Sequence, residues 1–177
     1  MAITRRYFKF DPEKALQVIL WIAKRVKSPN FHTISKIAYF ADREHLQKYG
    51  RQICGDTYVA MKHGPVPSGI YDMLKAVRGD GYSPIEDEAK DAFDVVGPHN
   101  VLPKRDADPD FFSESDIECL GWAVKTYGRK SFSELTKASH DTAWERAGAN
   151  DLIDITAIIK TLPNAKELLE HLEGSEQ

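Results

Sequence analysis

The sequence is poor in the residue patterns that build disulfide and metal sites. Its two cysteines, Cys54 and Cys119, lie far apart and form no CxxC motif or Cys/His pair. Its six histidines show neither an HExxH motif nor a short paired spacing. Because disulfide frameworks and zinc sites need such spacings, we expect no metal site. Two free thiols are typical of a reducing compartment.

The sequence also has no long apolar run and no excess of positive charge. Its strongest apolar stretch, residues 15–23, is interrupted by Gln17 and ends at Lys24, so it is too short to span a bilayer. No small-residue cleavage site follows it, which argues against a signal peptide. The net charge is −3, so no overall positive field attracts nucleic acid. We predict a cytoplasmic protein without membrane contact, for which nucleic acid is a disfavoured partner.

Catalytic signatures are missing as well. No P-loop or GxGxxG element follows a predicted strand, and no serine stands in a GxSxG context. Asp42 and His45 would be neighbours on a helix surface, but a general base also needs a pocket and a neighbour that shifts its pKa. We therefore predict no enzymatic activity, no catalytic residue and no cofactor. An enzyme that uses Asp42 and His45 is the least favoured of three hypotheses.

The composition indicates one folded unit. A chain of 177 residues with 42% hydrophobic and 29% charged residues has the size and balance of an ordinary globular domain. We predict a single domain over residues 1–177 with its core at about 11–162. The ends, residues 1–10 and 173–177, are expected to be flexible.

Helical periodicity dominates the chain. We predict a mainly α (α+β) fold: a compact bundle of about six to seven helices, a short strand near 57–62 and a small β-hairpin near 92–103. Residues 82–111 are the least helical segment. Residues 64–67, Gly-Pro-Val-Pro, are expected to form a turn, after which Ser68 caps a helix. Ser113 and Asp116 have the spacing of an approximate capping box.

Several short motifs occur in order along the first half of the chain. They read Tyr-Phe-Ala-Asp-Arg at 39–43, Gly-Asp-Thr-Tyr at 55–58, Lys-His-Gly-Pro-Val-Pro at 62–67 and Ile-Tyr at 70–71. Ser-His at 139–140 and Trp144 follow later. In this order and spacing the chain resembles the SocA-like antitoxin family, whose shared unit is the Panacea domain.

The resemblance implies a small cytoplasmic antitoxin, bacterial or phage-associated, that binds and neutralises a cognate protein toxin. A protease or chaperone system is a further partner that it suggests. Aromatic and charged motif side chains suit such contacts. The expected partner-binding residues are Tyr39, Asp42, Arg43, Tyr58, Lys62, His63, Pro65, Pro67 and Tyr71. The expected structural motif residues are Gly55, Asp56, Gly64, His140 and Trp144.

A DNA-binding regulator is the alternative from another class. The predicted order of helix, helix, strand, turn and helix is compatible with a winged-helix variant. The acidic net charge and the absence of a Lys/Arg-rich recognition helix disfavour it. The identity of the toxin and the oligomeric state do not follow from the sequence.

Overall fold

The computed structural model of the chain describes residues 8–175. The flexibility predicted for residues 1–7 and 176–177 therefore falls outside the described residues. Next to these ends, Phe8 and Phe10 pack against the core, and the last helix continues to Gly174.

The described residues form nine α-helices, one 3-10 turn and five short strands. The helices are α1 (Pro12–Ala23), α2 (Phe31–Tyr49), α3 (Ser68–Arg78), α4 (Glu86–Ala92), α5 (Glu114–Tyr127), α6 (Phe132–Ser139), α7 (Thr142–Arg146), α8 (Ile155–Ile159) and α9 (Ala165–Gly174); the 3-10 turn is Pro109–Phe111. The strands are β1 (Tyr58–Met61), β2 (Gly64–Pro67), β3 (Phe93–Val96), β4 (Asn100–Pro103) and β5 (Leu152–Ile153). The predicted mainly α fold with small β elements is confirmed.

Helix α2 is the centre of the molecule. Asn30 begins it by accepting a hydrogen bond from the Thr33 amide at 2.9 Å, and Gly50 ends it in the left-handed conformation at φ +73°, as helix caps commonly do. α2 packs against α1, α3, α5, α6, α8 and β2. Because it is surrounded in this way, even polar side chains such as Lys36 and Asp42 are buried along it.

The predicted strand near 57–62 is β1, and it pairs on both sides. Antiparallel β2 joins it in a hairpin that sets Tyr58 opposite Pro67 and Met61 opposite Gly64, and β5 pairs with the same strand. The turn predicted at 64–67 is wrong, because these residues form β2 and the turn lies at Lys62 and His63. Two prolines fit in β2 because it is an edge strand, which needs fewer amide donors.

The hairpin predicted near 92–103 is confirmed as β3 and β4, with Phe93 opposite Pro103. The weakly helical segment around it nevertheless contains helix α4. Three acids in its first turn suit the positive end of the helix dipole, and Ala89 and Ala92 are buried. Tertiary packing thus stabilises a seven-residue helix, which is too short to show a clear helical periodicity in the sequence.

Two caps differ in outcome. Ser113 and Asp116 form a complete capping box at the start of α5, as predicted. Ser68 does not cap α3, since the N-cap position is Pro67 and has no side-chain bond.

Within residues 8–175, no helix is long and apolar enough to cross a membrane.

Candidate functional site

The motifs noted in the sequence lie together at one place in the structure, the β1–β2 hairpin and the helices that hold it. Four sets of contacts fix this hairpin to α2, α3, α6 and α7. We call the two exposed residues at its tip, Lys62 and His63, the hairpin tip.

The first contact joins the beginning of β1 to α2. The Tyr58 hydroxyl donates to Asp42 Oδ2 at 2.6 Å, and the Ile53 amide donates to Asp42 Oδ1 at 2.8 Å. Burial raises the pKa of the Asp42 carboxyl to about 6, although both hydrogen bonds oppose that rise. Asp42 therefore links α2, the following loop and β1 from inside the core.

The second contact joins the loop before β1 to α3. Asp56 accepts hydrogen bonds from the amides of Gly69 at 2.8 Å and Ile70 at 2.9 Å, so it caps α3 from a distant segment and replaces the expected Ser68 cap. Gly55 before it has φ +74°, and a Cβ there would lie 2.2 Å from the Lys9 carbonyl oxygen. Only glycine fits this position.

The third contact brings in the late motif. The Trp144 indole donates to the Met61 carbonyl at 2.8 Å, and the His140 ring stacks on Trp144 with centroids 3.6 Å apart. The Tyr39 hydroxyl donates to Asp141 Oδ2 at 2.5 Å, and Asp141 Oδ1 in turn caps α7. Residues far apart in sequence thus hold the end of β1 against α7.

The fourth contact is a buried lysine. Lys36 on α2 is 1% exposed and its ammonium donates to the Pro65 carbonyl at 2.9 Å. Burial lowers the pKa of Lys36 to about 7, since water no longer solvates the charge. A Cβ on Gly64 would lie 2.4 Å from Ser139 Oγ and 3.2 Å from Lys36 Nζ, so the backbone is close to both side chains.

The nine expected partner-binding residues separate by exposure. Five are buried: Tyr39, Asp42, Tyr58, Pro65 and Pro67. Arg43 and Tyr71 are partly exposed, and Lys62 and His63 are exposed. The buried five hold the hairpin and offer no surface to a partner in this conformation. Arg43 lies beside them, with Nη2 3.1 Å from Thr161 Oγ1 and Nε 3.9 Å from Asp141 Oδ2.

The five expected structural residues all lie at this hairpin. Gly55 and Asp56 shape the loop before β1, Gly64 begins β2, and His140 with Trp144 packs against the end of β1. The positive φ angles of both glycines and the contacts of the other three are compatible with structural roles, which stay a prediction.

A pocket of about 520 Å³ opens beside the hairpin tip. Its apolar and ring-bearing side chains come from separate elements: Phe31, His32, Met61, His63, Val66, Tyr71, His99 and Phe132. Lys36 and Lys62 also line it. Sequence reasoning missed Lys36, His32, His99 and Phe132 as site residues. For Lys36 the sequence offers one indication, because the residue stands between Ile34 and Ile37 in a largely apolar segment.

The Asp42 and His45 pair does not form an accessible acid–base site. His45 is fully buried, with Nδ1 2.8 Å from the Arg51 carbonyl and Nε2 2.9 Å from Ser115 Oγ. Burial lowers the pKa of His45. Both side chains therefore make structural hydrogen bonds in separate places.

Among residues 8–175, no group of three His, Cys, Asp or Glu side chains is arranged to hold a metal ion.

Comparison with known proteins gives one match. The family model described as "Antitoxin SocA-like, Panacea domain" matches residues 34–145. That range begins in α2, contains the whole β1–β2 hairpin and ends just after Trp144. No curated protein and no solved structure matches the chain.

Proposed function

Since the chain belongs to the SocA-like antitoxin family with a Panacea domain, we propose that it neutralises a cognate protein toxin by binding it directly. Its place of action in this proposal is the cytoplasm of a bacterium, and the chain acts as a binding protein without catalysis. The absence of an accessible site around Asp42 and His45 supports the non-enzymatic role.

The observation that carries the proposal is the way the hairpin is held. The hairpin and the loop before it are tied to α2, α3 and α7 through buried and partly buried groups, while Lys62 and His63 at its tip are exposed. A loop that is already ordered loses less conformational entropy on binding. Such a tip is suited to contact a partner, and the buried motif residues serve it by fixing its geometry.

Neighbouring side chains extend the proposed surface. Phe132 is 53% exposed, and the His63 ring contacts it edge-on with centroids 5.0 Å apart. Tyr71 is partly exposed on the other side of the pocket. Aromatic side chains beside a few cations are common anchors of protein interfaces. We propose that Lys62, His63, Tyr71 and Phe132 contact the toxin.

The test is co-expression with the product of the neighbouring open reading frame. We expect that product to arrest growth alone, and the chain to restore growth and to co-purify with it. The double substitution Lys62→Glu with His63→Glu should abolish both effects while the melting temperature of the chain is kept. The matched control is Lys166→Glu with Lys160→Glu, at an exposed position on α9 and an exposed position just after α8, and it should retain both effects.

A toxic neighbour that the chain neither rescues nor binds would overturn the proposal. Rescue by the hairpin-tip variant at full strength would overturn the assigned surface alone. The winged-helix alternative is not proposed, because no observation favours it. In the winged-helix hypothesis α3 follows the β1–β2 hairpin. Its Lys75 lies 3.3 Å from Asp72 and its Arg78 lies 2.7 Å from Asp80, so nearby carboxylates already pair with these two cations.

A further inference from the structure

The pocket beside the hairpin tip also has a lining that suits a small molecule. We call it the aromatic pocket, and its volume is about 520 Å³. This lies within the range of sites that hold small molecules. Its residues come from α2, the β1–β2 hairpin, α3, the β3–β4 turn and α6, so it exists only in the folded chain.

Ring systems form much of the lining. Phe31 and Tyr71 meet edge-on with centroids 6.1 Å apart, and the His99 ring lies 5.5 Å from Phe31. On α6, Phe132 stacks on the His32 ring with centroids 3.9 Å apart. Several aromatic rings are therefore collected around one space, and such rings favour a ligand with a planar ring.

The charges of the lining have one sign. Lys36 and Lys62 line the pocket, and among the residues that the structure describes no aspartate or glutamate does. Within the described part of the chain, Lys36 has only a neutral carbonyl as its hydrogen-bond acceptor. A buried ammonium without a carboxylate partner is costly, and an anion in the pocket would reduce that cost.

The histidines add flat rings without adding acidic groups. Burial and the nearby Lys36 lower the pKa of His32 to about 4, so its ring is neutral at physiological pH. Its ring nitrogens already face Thr136 Oγ1 at 3.3 Å and the Phe132 backbone, so His32 contributes a flat, uncharged ring. The lining thus combines cations and flat ring surfaces in one pocket.

We propose that the aromatic pocket binds a small anion that carries a planar ring, with Lys62 and Lys36 attracting the anionic group and Phe132 stacking on the ring. The anionic group is a phosphate or a carboxylate. This inference goes beyond neutralisation of a toxin and does not depend on it.

Isothermal titration calorimetry of the purified chain tests the proposal with four probes. Adenosine 5′-monophosphate and indole-3-acetate carry a ring with a phosphate or a carboxylate, adenosine carries a ring without charge, and inorganic phosphate carries charge without a ring. We expect at least one of the first two to bind about tenfold or more tightly than either of the last two. Which of the two binds identifies the anionic group.

Two exposed positions provide variants that leave the core intact. Phe132→Ala should weaken binding of the preferred probe about tenfold through lost stacking, whereas Tyr82→Ala, at an aromatic residue that is 73% exposed outside the pocket, should not. Lys62→Gln should weaken it about threefold or more, and Lys166→Gln should not. Equal affinity for charged and uncharged probes, or binding that neither pocket variant weakens, would overturn the proposal. Failure to bind any probe at millimolar concentration would overturn it too, without bearing on toxin neutralisation.

Discussion

Tyr58 and Asp42 are joined by a hydrogen bond of 2.6 Å in the core, where the phenol is 2% and the aspartate 4% exposed. The bond links the first residue of β1 to the middle of α2. Asp42 also accepts from the Ile53 amide, so the carboxylate has a donor for each of its oxygens. Because Asp42 is buried, removal of either donor should lower the free energy of unfolding markedly.

Tyr58→Phe removes one of those donors and leaves the ring in place. We expect the free energy of unfolding to fall by about 1.5 to 3 kcal/mol, since the lost bond is to a carboxylate. Urea denaturation followed by circular dichroism measures this. Tyr82→Phe is the control for the substitution, and its exposed hydroxyl should change stability very little. Equal stability of both variants would contradict a structural role for the Tyr58–Asp42 bond.

Asp56→Asn tests the cap of α3. One carboxylate oxygen becomes an amide group, which cannot accept from the Gly69 or Ile70 amide. We expect faster hydrogen exchange at the start of α3, with about 1 to 3 kcal/mol less protection. Asp91→Asn, at an exposed position on α4, is the matched control. Unchanged exchange at Gly69 and Ile70 would show that another group caps this helix.

Gly55→Ala and Gly97→Ala separate steric contact from backbone strain. Both glycines have positive φ, +74° and +63°. The Gly55 substitution places a Cβ 2.2 Å from the Lys9 carbonyl oxygen, whereas no atom of residues 8–175 lies within 4 Å of a Cβ at Gly97. Gly97→Ala should cost about 1 kcal/mol for the left-handed conformation. Gly55→Ala should cost clearly more, as thermal unfolding would show. Equal costs would mean that the segment at Lys9 moves away freely.

Lys36 makes stability depend on pH. Its pKa is about 7 in the folded chain and about 10.4 in an unfolded one. Between these values the unfolded chain binds more protons, so the free energy of unfolding rises with pH in this window. Relative to Lys36→Met, the wild-type chain should gain up to about 1.4 kcal/mol per pH unit from pH 7 to 10.

Urea denaturation at pH 7, 8 and 9 would reveal this gain. Lys166→Met, at an exposed lysine, should run parallel to the wild type over the same range. A constant difference between wild type and Lys36→Met at all three values would contradict the lowered pKa of Lys36. Loss of the hydrogen bond to the Pro65 carbonyl is a separate effect, and it should lower the stability of Lys36→Met at pH 9 as well.

Much of the fold could be predicted because its signals are local. Asp11 caps α1 and Gly50 ends α2, each a residue type that commonly does so, and the capping box predicted at Ser113 is present. The strand near 57–62 and the hairpin near 92–103 also follow from short-range patterns. Helix α4, strand β2 and the cap from Asp56 did not follow from such patterns. Helix α4 is too short to show a clear periodicity, the two prolines of β2 favour a turn, and Asp56 is separated from the helix that it caps by the whole β1–β2 hairpin.

The family, the mainly helical class and the position of the motifs were determined by the sequence itself, since residue order and local periodicity carry that information. Which motif side chains are exposed was decided only by tertiary structure. Tyr39, Asp42 and Tyr58 carry polar atoms that suit a surface equally well, and only packing around α2 buries them and supplies their hydrogen-bond partners. The pocket, likewise, exists because five elements bring their rings and two lysines together. Burial depends on how the whole chain packs, so a short motif does not determine which of its side chains are buried.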